Sequence, residues 1–226
     1  MNKPYTICHM MMSVDGRIDC GMTVKIPGTD EYYTTLEALD APVHVSGRVT
    51  AELEMALPGR FEASEDAEWI DHPCYSKKRD SRNYEVVLDT HGMLLWPHES
   101  ENDVPMIIIL SEKAAKEYID YLDRQNISWI VCAHDRIDLP EACEILHDVF
   151  GVERMAVVGG GSVNAGFLDA GLLDEVSILL GPAIDGRGGM TAVFDNLPMD
   201  REPVDLKLKS VESYPDGAIW IRYLVD

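Results

Sequence analysis

The stretch Met155-Ala156-Val157-Val158-Gly159-Gly160-Gly161-Ser162-Val163-Asn164 reads as a buried strand, a tight glycine turn and the opening of a helix. An apolar run of strand length that gives way to helical spacing is half of a β-α unit, and repeated units of that kind build a largely parallel sheet. The same alternation recurs on either side. Strands are expected over residues 5–12, 41–45, 84–88, 106–110, 127–132, 155–158 and 176–180, and helices over 29–39, 50–57, 112–124, 139–150 and 163–170. Met106-Ile107-Ile108-Ile109-Leu110 is apolar throughout, as suits a strand covered on both faces. Ser111 stands where an N-cap belongs, Pro140 falls in a first helical turn, and Gly171 follows a helix end. Residues 58–83 keep no period and read as a long excursion. Near the end, Leu206, Leu208 and Val211 lie among Lys207, Lys209 and Ser210, and an apolar segment covers 218–225. Tyr214-Pro215-Asp216-Gly217 between them is a hairpin signal. The expected fold is α/β: one domain over residues 1–226, with a mostly parallel central sheet flanked by helices and an antiparallel C-terminal hairpin.

Composition narrows the partners. The 226 residues carry 19 Lys and Arg against 40 Asp and Glu, a net charge of −21. A field of that sign repels nucleic-acid backbones and anionic lipid, so neither a nucleic acid nor a membrane is an expected partner. Cys8, Cys20, Cys74, Cys132 and Cys143 are odd in number and form no Cys-x-x-Cys pair, which reads as buried free thiols in a reducing compartment. The apolar run near the N-terminus is interrupted by His9 and ended by Ser13-Val14-Asp15-Gly16, too short for a signal segment. A cytoplasmic protein is expected. Met10-Met11-Met12 reads as core. The seven histidines show no ligand spacing, so no metal site is expected.

Three turns could carry chemistry. Gly159-Gly160-Gly161-Ser162 follows a strand and opens a helix; glycines there let backbone N–H groups approach a pyrophosphate, and the helix N-terminus adds partial positive charge. The spacing is neither Gly-x-Gly-x-x-Gly nor a P-loop, and a tight turn without a ligand is the alternative. Ser46-Gly47-Arg48-Val49-Thr50 occupies the same kind of position: Gly47 permits close approach, Thr50 can cap, and Arg48 can meet a phosphate bidentately or lie solvated. Two such turns at one sheet edge would make a dinucleotide crevice. Ser13-Val14-Asp15-Gly16-Arg17-Ile18 leaves a strand through a turn dipeptide, which an ordinary turn also explains. The basic cluster Lys77-Lys78-Arg79-Asp80-Ser81-Arg82 suits either a ligand phosphate or a solvated loop.

Together these turns resemble one family. Ser13-Val14-Asp15-Gly16-Arg17-Ile18 is similar to the Ser-Leu-Asp-Gly-Lys/Arg-Ile opening of the riboflavin-biosynthesis reductases. Val86-Val87-Leu88-Asp89-Thr90 resembles their Val-Val-Leu-Asp-Ser strand. The run from Gly159-Gly160-Gly161-Ser162-Val163-Asn164 through Leu168-Asp169-Ala170-Gly171-Leu172-Leu173-Asp174-Glu175-Val176 to Gly181-Pro182-Ala183-Ile184-Asp185-Gly186 resembles the family's Gly-Gly-x-x-Leu-Asn, Leu-x-x-Ala-Gly-Leu-Val-Asp-Glu and Ala-Pro-x-x-x-Gly sequence. The chain is similar to the reductase half of the bifunctional deaminase-reductase. It has no His-x-Glu with Pro-Cys-x-x-Cys for the deaminase zinc site.

The resemblance implies a dihydrofolate-reductase-like fold, NADPH as hydride donor, a homodimer and a small heterocyclic substrate such as a pyrimidine or pterin. It implies that Gly159, Gly160, Gly161 and Ser162, with Val163 next to them, hold the pyrophosphate and that Thr50 contacts the cofactor, in the turn where Gly47 and Arg48 are already candidate cofactor contacts. It adds Glu54 in place of the usual Asp, Thr90 in place of a Ser, and Ser111 on the adenosine side. The nicotinamide and substrate would lie over Ser13, Asp15 and Arg17. Asp15, Asp30 and solvent are the candidate proton sources, with Glu31 beside Asp30 on the first helix. Val158 stands where these reductases often place a substrate-contacting Glu, and Lys25-Ile26-Pro27-Gly28-Thr29-Asp30 replaces their Trp-Ile element. A dihydrofolate or pterin reductase and a nucleotide-binding protein without turnover are the alternatives.

Overall fold

Residues 2–132 and 135–226 are described by a computed structural model, in which the chain makes two compact units. One comprises Met1–Pro4 and Pro42–Glu153, the other Tyr5–Ala41 and Arg154–Asp226. Both are α/β, with mostly parallel strands.

In the first unit the apolar runs become β2 (Val43–Gly47), β4 (Tyr84–Leu88), β5 (Met106–Ser111) and β6 (Ser128–Cys132), all parallel neighbours in the order β2-β4-β5-β6. β5 is buried along its whole length, as its unbroken apolar sequence requires. Helices α3 (Arg48–Glu54), α4 (Lys116–Arg124) and α5 (Leu139–Asp148) belong to this unit. Val87, Ile108 and Leu110 pack with Trp96, Tyr118 and Leu122 in its core. β3 (Cys74–Ser76) adds an antiparallel strand beside β6. Three residues inside an aperiodic stretch give no alternation to read, so the sequence hides this strand.

In the second unit β1 (Tyr5–Met12) lies between β7 (Arg154–Val157) and β8 (Glu175–Leu180), all parallel. The C-terminal hairpin, β9 (Leu206–Ser213) and β10 (Ile219–Val225), continues this sheet antiparallel through β8–β10 pairing. Gly217, at φ 95°, lets the Tyr214–Gly217 turn close. Arg222 faces Ser210 but Tyr223 faces Leu208, so Lys209 is an extra residue, a β-bulge. The bulge resets the alternation: Leu206, Leu208 and Val211 pair with Val225, Tyr223 and Ile221 and share one face. Lys209 and Arg222 both reach the buried Glu175 carboxylate, Lys209 at 2.7 Å. Burial alone would raise Glu175, but these two cations hold it below the ordinary glutamate range. The unit also carries α1 (Cys20–Thr23), α2 (Thr29–Glu37) and α6 (Gly161–Asp169).

Several helix starts differ from expectation. Ser111 is no N-cap: it closes β5, and α4 begins only at Lys116 after Ala115. The delay has a cause, because the backbone of 114–116 is engaged by the excursion, with Ile70 N–H donating to Ala114 and Lys116 N–H to Glu68. α3 starts at Arg48 from an extended Gly47, which puts Thr50 inside the first turn rather than at the cap. Met10 and Met11 are buried, as is Cys8, but Cys20 is exposed and Cys74 half-buried. Among the described residues, no helix is long and apolar enough to cross a membrane.

Candidate active site

β7 ends at Val157, and the glycine turn follows. Gly159 has φ 123°, a conformation that disfavours a side chain. Gly160 is the N-cap of α6, in extended backbone at φ −84°. It offers no side chain to cap the helix, and the first intrahelical bonds run from Val163 and Asn164 N–H to its carbonyl. The amides of Gly161 and Ser162 precede that ladder, so the helix geometry gives them no acceptor. No acidic residue sits in the first turn, and a Cβ built on Gly160 would meet nothing within 4 Å. Open space, amides without intrahelical partners and the positive end of a helix dipole together suit a diphosphate.

The third glycine has a different reason. A Cβ on Gly161 would fall 2.3 Å from the carbonyl oxygen of Ala192, so the protein itself occupies that space. The strap around 190–196 lies across the turn. Asp195 N–H donates to the Gly161 carbonyl, Asn164 Nδ2 to that of Val193 at 2.8 Å, and Asn196 Nδ2 to Ser162 Oγ at 2.7 Å. Of the expected pyrophosphate contacts, Gly160, Ser162 and the half-exposed Val163 face outward while Gly161 packs inward. Val158 is half-buried and packs on the apolar core, so no carboxylate stands at the head of this turn.

The turn after β1 is held closed by its own polar groups. Ser13 is fully buried; its hydroxyl donates to Asp15 Oδ1 at 2.7 Å and accepts from Arg17 N–H at 3.1 Å. Asp15 also accepts the N–H groups of Asp185 and Gly186, both at 2.9 Å. The Ser13 hydroxyl and these amides hold its carboxyl well below the usual aspartate range. Arg17 donates to the Met190 carbonyl at 2.7 Å, and its buried Nε has no hydrogen-bond partner among the described residues. Ser13, Asp15 and Arg17 therefore build this loop and tie it to residues 185–190. Asp15, ionised and already accepting three hydrogen bonds, is withdrawn as a proton donor. Asp30 lies exposed in the first turn of α2, with Glu31 half-buried beside it.

In the first unit the expected residues cluster at the carboxyl ends of β2 and β4. Gly47 is buried, Arg48 pairs with Glu52 at 3.1 Å, and Thr50 is half-exposed. Glu54 is raised by partial desolvation and by the Glu85 carboxylate. Asp89 is fully buried; Met93 and Leu94 N–H groups bind its Oδ2, at 2.7 and 2.9 Å, while Oδ1 has no hydrogen-bond partner among the described residues. Burial raises its pKa against the pull of those amides and of Arg48. Thr90 follows on the turn, half-exposed. Ser111 is a correction: fully buried, it donates to the Thr90 carbonyl at 2.8 Å and accepts from Lys113 N–H at 3.1 Å, which leaves no exposed hydroxyl for an adenosine. The basic cluster is likewise engaged internally. Lys77 binds the Val149 carbonyl and Asp80 and lies over Phe150, and Lys78 pairs with Asp123.

The sequence reading passed over the strap beyond Gly186. Its signal is there in Gly186, Gly188 and Gly189 within an aperiodic run, but nothing local tells which turn such a run will cross.

A model of the RibD C-terminal domain matches residues 4–220. The chain belongs to the RibD C-terminal domain family. Among curated proteins it is 31% identical, over 116 residues, to the 2,5-diamino-6-ribosylamino-4(3H)-pyrimidinone 5′-phosphate reductase of Methanothermobacter thermautotrophicus. That match covers 51% of this chain and 53% of the relative, about half of each. Among solved structures, a pyrimidine reductase-like protein of Corynebacterium diphtheriae superposes with a TM-score of 0.72 at 17% identity, covering 99% of this chain and 92% of that one. The riboflavin biosynthesis reductase of Saccharomyces cerevisiae gives 0.63 at 16% identity, over 99% and 90%. At such identities the two structures speak for the fold, and the fold is that of the RibD C-terminal domain family over almost the entire chain.

Proposed function

We propose that residues 1–226 act as one NADPH-dependent reductase domain, an oxidoreductase whose substrate is a phosphorylated ribosylaminopyrimidine of the kind named for the Methanothermobacter relative. The observation that carries the reading is the uncapped start of α6, with Gly160 facing open space. In this reading Gly159, Gly160, Ser162 and Val163 hold the cofactor diphosphate at the start of α6. NADPH, when bound, supplies the hydride. The protein's part is to bind, orient and exclude water. With Asp15 engaged as an acceptor, the accompanying proton comes from solvent or from Asp30.

Support for a homodimer comes from the hairpin. Leu206, Leu208 and Val211 are 41%, 55% and 57% exposed, on one face with Ile221, Tyr223 and Val225. An apolar sheet face of this kind is usually covered. The charge of −21 per chain opposes association at long range, but salt at about 0.15 M screens it beyond about 8 Å. Light scattering at micromolar concentration is expected to give twice the mass of one 25.2 kDa chain, and the single mass would reject the dimer. Five free thiols suit a reducing, cytoplasmic compartment.

The deciding experiment follows NADPH oxidation with 2,5-diamino-6-ribosylamino-4(3H)-pyrimidinone 5′-phosphate, a dihydropterin and a quinoid acceptor in parallel, beside calorimetry with NADPH, NADH and ATP. Turnover of the pyrimidine is expected. Turnover of the pterin alone would reassign the substrate, and NADPH binding without any turnover would mark a nucleotide-binding protein whose chemistry has lapsed. No binding of any of the three nucleotides at millimolar concentration would remove the reading.

A further inference from the structure

The strap around residues 190–196 is mounted on the glycine turn before its exposed end is reached. Asn164, fully buried, donates from Nδ2 to the Val193 carbonyl at 2.8 Å, and Asp195 N–H donates to the Gly161 carbonyl at 3.2 Å. The Ala192 carbonyl fills the space that a Cβ on Gly161 would take, and Val193 is itself buried. These contacts fix the strap. A further one lies beyond them, where Asn196 Nδ2 donates to Ser162 Oγ at 2.7 Å between two exposed side chains. A neutral hydrogen bond in water holds a chain only weakly, because water offers either partner nearly the same bond. Anchoring does not account for this pair, but the direction of the bond does.

A serine hydroxyl has one hydrogen to donate and two lone pairs. Asn196 occupies a lone pair, so the hydrogen stays available, and among the described residues nothing accepts it. Ser162 is the second residue of α6, beside the open space at Gly160 and the amides without intrahelical acceptors. Asparagine suits position 196 in two ways. Its backbone stands at φ 67°, a left-handed conformation that asparagine tolerates better than most residues with a side chain. Its amide donates without charge, whereas a carboxylate there would take the hydroxyl hydrogen and repel an anion. The neighbouring acid is turned aside, since Asp195 Oδ2 accepts from Ala192 N–H at 3.1 Å.

We propose that Asn196 is a positioning residue for the cofactor: by donating to the Ser162 oxygen it aims the Ser162 hydroxyl to donate to the diphosphate at the start of α6. The proposal rests on the cofactor reading above. It gives the strap a part in binding, through a residue that lies outside the glycine turn and carries no charge.

The test uses the full chain, with NADPH affinity read by calorimetry. Ser162→Ala should raise the dissociation constant about tenfold, as expected of a hydrogen bond to a charged group. Asn196→Gly keeps the left-handed backbone and removes only the amide. It should raise the constant about fivefold, because the hydroxyl remains but is no longer aimed. The double variant should stay near the loss of about tenfold, not the roughly fiftyfold of two independent contacts. Asn196→Asp, nearly isosteric, reverses the bond and should lose more than Asn196→Gly. In steady state these losses should fall in KM for NADPH rather than in kcat, as for contacts equal in ground and transition states. The urea midpoint of Asn196→Gly should match the wild type; should that variant misfold, the order of Asn196→Asp and Ser162→Ala against the wild type still decides, the Asp variant being the weaker binder. Wild-type affinity in either single variant, a fiftyfold loss in the double variant, or an Asp variant that binds as well as the wild type overturns the positioning role and leaves the cofactor reading standing. Failure of the wild-type protein to bind any nicotinamide nucleotide overturns both.

Discussion

Two turns of the second unit leave the same edge of neighbouring parallel strands and end in opposite states. After β1, Ser13, Asp15 and Arg17 direct their polar groups to one another and to residues 185–190, and the loop closes on itself. After β7, the glycine turn leaves amides without intrahelical partners and a Cβ direction without an occupant. Both stretches carry motif residues, and the motif does not say which residues serve the fold and which serve a ligand. Hydrogen-bond partners and free space do. Even within one turn the distinction holds, since Gly160 faces open space and Gly161 faces the Ala192 carbonyl.

The sharpest way to break this comparison is to give each glycine a side chain. Gly161→Ala is expected to lose about 3 kcal/mol, because its Cβ meets a backbone oxygen rather than a movable side chain. A urea midpoint measures it. Gly160→Val is expected to keep its stability within about 1 kcal/mol, since φ −84° suits a branched residue and the space is open. It should lose at least about 100-fold in NADPH affinity, read by calorimetry, as the side chain takes the position of the diphosphate. If the two variants behaved alike, the contrast between the glycines would fail.

A second, smaller effect concerns the closed turn. Asp15→Asn removes the charge that binds two amides and a hydroxyl, so the melting temperature should fall at neutral pH. The sign with pH is definite. The folded pKa is depressed, so the stabilisation is complete above the unfolded value near 3.9 and fades as pH drops through the folded one. The gap between wild type and variant should therefore narrow below about pH 4, and a gap independent of pH would contradict the assignment. Ser111→Ala should cost about 1–2 kcal/mol by leaving the Thr90 carbonyl and Lys113 amide unpaired, with KM for NADPH unchanged. Smallest of all, Asp30→Asn should leave kcat within about twofold, because the residue is an exposed acid in a helical first turn. A loss of several orders of magnitude would instead make Asp30 the proton source.

Much of the architecture was legible because strand burial writes itself into composition. β1, β4 and the C-terminal hairpin fall at or within a residue of where alternation and apolar runs place them. What stayed hidden depends on partners distant in sequence. Ser111 looks like a cap by its neighbours, yet the 68–70 backbone decides where α4 starts. Asp15 looks like a chemical group, yet amides 170 and 171 residues away hold it. The glycine run was readable as a turn, but only the strap divides its three members.

The extra residue in β9 has a consequence for length. Most surface loops tolerate an added or missing residue at small cost. Lys209 is a different case. Its deletion would leave Ser210, Leu208, Lys207 and Leu206 opposite the partners they already have, so plain alternation would keep Leu206, Leu208 and Val211 on one face, while Glu175 would lose one of its two cations. The added residue is a spacer that gives up one unit of regular pairing to deliver an ammonium to a buried carboxylate.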